Sequence, residues 1–162
     1  MKTFCISAVM FLVVVQISQA QKIRKISKDE LVKLLNDPSD KLHVVNFWAT
    51  WCAPCVAELP GFQEVVNKTK NDKVDFLFVS LDFPSDGEQK LSVFMKKNHY
   101  TFNVALMTET DSNSWIDRVD PAWQGEIPST LFFNRARKIH QFHSGTLEKD
   151  KLKKTIQTLL TN

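Results

Sequence analysis

The sequence predicts an α/β fold, a mixed central sheet flanked by helices, and three observations carry that expectation. Residues 42–49 and 74–81 are apolar, β-branched and aromatic runs, the pattern of strands buried on both faces. The segments that follow them place apolar residues at helical spacing. Residues 130–134 and 138–143 read as two strands around a turn at Arg135–Ala136. Strands that alternate with helices and then close in a hairpin require a mixed sheet between helical layers.

The first segment, residues 1–20, stands outside that fold. Lys2 precedes an apolar stretch from Ile6 to Val15, with Ile17 beyond it and Ser18–Gln19–Ala20 at its end. A basic start, a short apolar core and a small-x-small end describe a secretory signal peptide. A membrane span needs about 20 apolar residues, so an uncleaved anchor is the weaker reading. Cleavage is expected after Ala20, leaving residues 21–162 as one domain. Cys5 leaves with the leader and does not look like a lipid-anchoring cysteine. Net charge falls from +3 to +2, because Lys2 is the only charged residue lost.

Ile26–Ser27–Lys28–Asp29–Glu30–Leu31 then opens a helix. Ser27 caps it, Glu30 completes a capping box, and Ile26 with Leu31 forms the hydrophobic staple. That helix is expected to run to about Leu35, before Asp37–Pro38. The strand at 42–49 leads into a helix after Cys52, with Val56, Leu59, Val65 and Val66 inward and Pro60 removing one backbone hydrogen bond. After the strand at 74–81, Ser85 and Glu88 repeat the capping-box spacing, and Leu91, Phe94 and Met95 give a helix its apolar face. A strand at 102–107 and a short helix at 111–119 come next. Leu147, Leu152, Ile156 and Leu160 mark the closing helix.

The charge balance, 21 basic against 18 acidic residues, is no nucleic-acid footprint, and no clustered Lys/Arg accompanies a reading motif. With Cys5 gone, Cys52 and Cys55 are the remaining thiols. The loop they close is too small to staple a large fold, so their chemistry or a metal explains them. The segment Trp51–Cys52–Ala53–Pro54–Cys55 joins the end of a buried strand to a helix start, where functional groups gather in open α/β sheets. Pro54 suits a first helical turn. Cys52 then faces unpaired amides and the positive end of the helix dipole, which favour thiolate over thiol. Cys55, a turn later and more buried, is placed to release a mixed disulfide. A structural zinc takes four ligands and a lone CxxC provides two, while His43, His99, His140 and His143 show no tandem spacing. A purely structural disulfide is the other alternative.

The stretch 47–55 closely resembles the active site of the thioredoxin superfamily. Residues 45–52, with Glu58 and Pro60 downstream, resemble more narrowly the exported TlpA-like and ResA-like thiol–disulfide oxidoreductases. Ile127–Pro128–Ser129–Thr130–Leu131–Phe132–Phe133 resembles the family's cis-proline loop. The resemblance implies a thioredoxin-like fold with an extra strand–helix insertion before that proline, within residues 83–125. It implies Cys52 as nucleophile, Cys55 as resolving cysteine, Pro128 as the cis-proline, and Ile127 as the residue whose backbone pairs with substrate. Trp51 matches an exposed aromatic beside the nucleophile, and Ala53 and Pro54 are the residues that tune the potential. Thioredoxin has a buried Asp where this chain has Asn46, so another group or water must take the proton of Cys55. Glu58 and Asp82 are the candidates for that relay, with Glu58 equally readable as a first-turn carboxylate. Trp123, ahead of the cis-proline loop, lines a substrate groove or packs in the core.

The function expected from this reading is an exported reductase or exchanger of protein disulfides, without cofactor or stable metal. It would work in a periplasm or other extracytoplasmic space and be re-reduced by a membrane-bound donor. Cytochrome c maturation is a family-level expectation. A disulfide-forming oxidant is the alternative, although Ala53–Pro54 is not the Pro–His pair of strong oxidants. A thioredoxin-fold chaperone or binding module is a third reading, weakened by the two intact cysteines. No Thr-x-x-Cys arrangement of a peroxidase is present, since Ala49 stands three residues before Cys52.

Overall fold

Residues 23–69 and 73–161 are described by the structure, a computed structural model. The expected leader and Cys5 lie outside the described residues. Twelve short elements follow in chain order: β1 (Arg24–Ile26), α1 (Lys28–Leu35), β2 (Leu42–Trp48), α2 (Ala53–Lys68), β3 (Val74–Ser80), α3 (Gly87–Lys97), β4 (Val104–Met107), a 3-10 turn (Ser112–Ser114), α4 (Ile116–Val119), β5 (Ser129–Asn134), β6 (Ile139–Ser144) and α5 (Lys149–Thr161).

The strands form one six-stranded sheet in the order β1-β4-β3-β2-β5-β6. β1, β4, β3 and β2 are parallel, and β5 runs against β2 and β6. All seven residues of β2 are buried, as a central strand covered on both faces requires. Alternate residues feed two cores. Leu42, Val44 and Trp48 enter one with Phe62, Phe78, Leu91, Leu152 and Ile156, under α2, α3 and α5. Val45 and Phe47 enter the other with Leu31, Val119, Trp115, Trp123 and Leu131, under α1 and α4. The first core is rich in rings: Phe78 stacks on Phe102 at 3.9 Å between centroids and meets Phe62 edge-on at 5.6 Å.

The start of α1 follows its sequence signal. Ser27 Oγ accepts from the Glu30 amide, Glu30 Oε2 accepts from the Ser27 amide at 2.8 Å, and Ile26 and Leu31 are both buried. Other expectations need correction. No capping box forms at Ser85; α3 begins one residue later, after Asp86, without a side-chain cap. The close approach there dictates Gly87, where a Cβ would lie 2.9 Å from Leu106 Cδ1 and 3.2 Å from the Asp82 Cβ. The segment 111–119 is no single helix. Asp111 Oδ1 accepts from the Asn113 amide at 3.1 Å, and the chain makes a 3-10 turn before the one-turn α4. Strand β1 was not expected: three residues show no period, and pairing with β4 defines them. In α2, Val56 and Val66 are only half-buried, and Phe62 supplies the inward bulk. The helix continues through Pro60.

Candidate active site

Because β5 opposes β2, its first residues reach the pole where β2 ends, and the Cys52–Cys55 loop meets the Ile127–Pro128 loop there. Cys52 and Cys55 are joined in a disulfide. Cys52 is the N-cap of α2, and its Sγ accepts from the Cys55 amide at 3.3 Å. The helix start therefore aims a backbone N–H at this sulfur, which stabilises negative charge on it when the pair is reduced. Cys55 is wholly buried and Cys52 is 6% exposed, so Cys52 is the outer sulfur of the pair.

The opposing wall is the Ile127–Pro128 peptide, which is cis. Cys52 Sγ lies 3.7 Å from the Ile127 carbonyl oxygen. The loop is pinned from several sides. Ser129 Oγ and Trp123 Nε1 each donate to the Glu126 carbonyl at 2.8 Å, and the Gly145 amide donates to the Pro128 carbonyl at 2.8 Å. Trp123 is thus buried, packed on Phe47, Trp115 and Phe142. It belongs to the core and lines no groove. Trp51 is 60% exposed, and Ala53 and Pro54 are exposed beside it.

The two candidate relay carboxylates have different surroundings. Glu58 lies one helical turn beyond Cys55 and is buried. Its Oε1 accepts from Asn46 Nδ2 at 2.9 Å and its Oε2 from the Leu147 amide at 2.8 Å. Burial pushes its pKa up to about 7, against the lowering effect of those two hydrogen bonds. Asn46 Nδ2 also donates to Thr130 Oγ1 at 3.1 Å, and Asn46 Oδ1 is buried without a hydrogen-bond partner. Asp82, also buried, accepts from the Thr50 amide at 3.0 Å, Thr50 Oγ1 at 2.5 Å and Ser80 Oγ at 2.6 Å. Its bonds tie the end of β3 to the loop carrying Cys52, so it acts as a clasp on that loop. Thr50, Thr130 and the Leu147 amide carry no sequence signal of their own; they become partners only when distant strands meet.

The histidines are dispersed. His43 is buried, stacked on Phe133 with Nε2 3.1 Å from Asp37; His140 is exposed and meets Asp120 at 2.9 Å; His143 contacts the Thr146 carbonyl; His99 is exposed after α3. Among the described residues no three His, Cys, Asp or Glu side chains gather as a metal site.

Comparison with known proteins agrees with this geometry. The sequence model of the AhpC/TSA family matches residues 18–142. The thiol–disulfide oxidoreductase ResA of Oceanobacillus iheyensis is 32% identical over 133 residues, 81% of this chain and 65% of the relative; the chain thus spans about two thirds of that protein's length. Among solved structures, StoA from Bacillus subtilis is 27% identical with a TM-score of 0.56, covering 72% of this chain and 82% of that one. A thioredoxin-related protein from Neisseria meningitidis serogroup B superposes with a TM-score of 0.67 at 21% identity, over 76% of this chain and 88% of its own. The architecture is therefore thioredoxin-like.

Proposed function

We propose, starting from the fact that this chain belongs to the AhpC/TSA family, that it is a thiol–disulfide oxidoreductase that reduces or exchanges protein disulfides through Cys52 and Cys55. The observation that carries the reading is the disulfide at the N-terminus of α2, its outer sulfur facing the Ile127 carbonyl. In the reduced protein, the Cys52 thiolate attacks one sulfur of a substrate disulfide and expels the other as a thiolate, which takes up a proton. Cys55 then loses its proton and attacks Cys52 Sγ. The Cys52–Cys55 disulfide forms, and the second substrate sulfur leaves as a thiol. Two electrons pass to the substrate with the proton of Cys55, solvent supplies the second proton, and a dithiol donor must return the two electrons.

Ile127 offers its carbonyl to the substrate backbone beside Cys52, and Pro128 forms the wall of the site. Glu58 is the group we assign to the proton of Cys55, one turn away on the same helix. With a pKa of about 7 it is poised to change protonation near neutral pH. The leader-like residues 1–20 support export and with it a membrane-bound donor outside the cytoplasm, while Ala53–Pro54, which is not the Pro–His pair of strong oxidants, supports the reducing direction over the oxidising one.

A redox titration of Cys52/Cys55 tests the reading. A single two-electron couple within the superfamily span of about −270 to −120 mV is expected, towards its reducing end. A couple below about −300 mV, typical of structural disulfides, would leave only a cross-link.

Glu58→Gln tests the proton assignment. Folded Glu58 keeps its proton up to about pH 7, whereas unfolded Glu releases it near 4.5. The folded state thus binds the extra proton, and stability from this group falls as pH rises between those values, by up to about 3 kcal/mol. The amide of the Glu58→Gln variant cannot ionise, so the variant should gain stability over wild type at pH 8 in urea unfolding, converging with it near pH 4.5. The step that releases the mixed disulfide should slow about tenfold or more, with the wild-type inflection near pH 7 gone. An inflection surviving in Glu58→Gln would remove Glu58 from the proton path.

A further inference from the structure

The turn between β5 and β6 lies at the pole opposite the disulfide. β5 starts beside Pro128, and its six residues, at about 3.3 Å each, carry the chain about 17 Å away. Asn134 shapes the turn, its Oδ1 accepting from the Arg137 amide at 2.8 Å. Arg137 reaches to the layer of α5, where Nη1 donates to the Leu159 carbonyl at 2.9 Å and Nε meets Asp40 at 3.0 Å. Arg135 and Lys138 serve the other layer. They border a cleft of about 570 Å³ between the hairpin, the end of α1 and α4, and Arg118 and His140 line it with them.

Three permanent cations from two elements thus share one cleft, and no carboxylate lines it. Like charges gathered in this way repel one another until an anion joins them. The carboxylates of α4 do little to offset them: Asp120 bonds to His140 at 2.9 Å, and Asp117 lies 3.9 Å from Arg118 Nε in a loose, exposed contact. Arg135 and Lys138 have no ion-pair partner among the described residues. Lys138 also adopts φ +57°, left-handed backbone that glycine takes with less strain. Its side chain is exposed, so packing does not call for lysine there; the fold gives up stability to hold a cation at this position.

The rest of the lining is largely apolar. Val32 and Leu35 of α1 and Ile139 of β6 are half-buried around Phe133, whose ring is fixed by stacking on His43 at 4.7 Å. A cleft of this size takes a small molecule. Guanidinium forks hold the oxygens of a phosphoryl group two at a time, and three cations match a dianion better than a monoanion. We propose that this cleft binds a small organic phosphate, with the phosphoryl group held by Arg118, Arg135 and Lys138 and an apolar body against Leu35 and Ile139. The site is independent of the disulfide-exchange reading, and its occupancy leaves Cys52 uncovered.

Isothermal titration with phenyl phosphate tests it, at about pH 8, where the probe is a dianion, and at low ionic strength. Wild-type protein should bind one equivalent with a Kd of about 1 mM or tighter. Inorganic phosphate, which lacks the apolar body, should bind about tenfold more weakly. The double variant Arg135→Ala/Lys138→Ala should lose about tenfold or more in affinity for phenyl phosphate. Lys138→Gly removes the cation and relieves the backbone, so it should lose affinity several-fold while its urea midpoint stays at or above that of wild type. No saturation in wild type overturns the site, as does unchanged affinity in the double variant. Equal affinity for phenyl and inorganic phosphate would mean an adventitious ion only, and overturns it too. Lys138→Gly with intact affinity and a lower midpoint would make Lys138 a structural residue and remove it from the site. Co-sedimentation with phosphatidylglycerol vesicles, lost in the double variant and without binding of phenyl phosphate, would put a membrane surface on this cleft and overturn the small ligand.

Discussion

Cys52→Ser is expected to lower disulfide reduction by about 10³-fold or more, the scale on which loss of a nucleophile is felt, whereas Cys55→Ser should stop turnover and leave the first half of the reaction intact. The asymmetry follows from burial. Cys52 is the sulfur with residual access, and it accepts the Cys55 amide hydrogen that stabilises a thiolate. Serine there has a hydroxyl that does not ionise near neutral pH, and the wholly buried Cys55 has no path to a protein substrate. Serine at 55 leaves the attacking thiolate in place, so a mixed disulfide forms on Cys52 and persists. Non-reducing electrophoresis with mass spectrometry reads both outcomes: a covalent adduct on Cys52 in Cys55→Ser, none in Cys52→Ser. An adduct formed equally by both variants would contradict the assignment of roles.

The second large effect concerns stability. Phe78→Ala is expected to cost about 3–5 kcal/mol, against a total of about 5–15 kcal/mol for an ordinary domain. Phe78 is wholly buried in β3, stacked on Phe102 and edge-on to Phe62 of α2. Removing its ring leaves a cavity that three neighbouring elements cannot fill together, because Phe62 and Phe102 are themselves fixed by packing. Urea unfolding of the oxidised protein should show a lower midpoint at unchanged slope. A loss under about 1 kcal/mol would mean that the ring cluster rearranges freely.

Much of the scaffold was legible in sequence because its signals are local. β2 announces itself by an unbroken apolar run, as both its faces are covered; Ser27 and Glu30 declare the start of α1 within one helical turn. The disulfide loop and the cis-proline loop were legible as motifs. What stayed hidden depends on contacts between distant segments. β1 exists by pairing with β4, and Gly87 is dictated by Leu106 and Asp82 crowding the start of α3. The environment of Glu58 depends on the Leu147 amide, 89 residues away, and no spacing rule announces that bond. The sequence offers Asp82 as a proton relay, whereas its two hydrogen bonds from Thr50 and one from Ser80 show it gripping the loop that carries Cys52. Trp123 has the composition of a groove residue and the burial of a core one.

The reversed direction of β5 has a consequence for how activity is acquired. It brings Ile127 to within 3.7 Å of Cys52 across 75 residues of chain, so the site is complete only when the β2–β5 ladder has closed. A peptide cut from around the cysteines would hold both thiols and react as any small dithiol. During refolding, thiol reagents would count the sulfurs from the start. Recovery of selective exchange would instead time the closing of the sheet, which makes the catalytic reaction itself a clock for tertiary assembly.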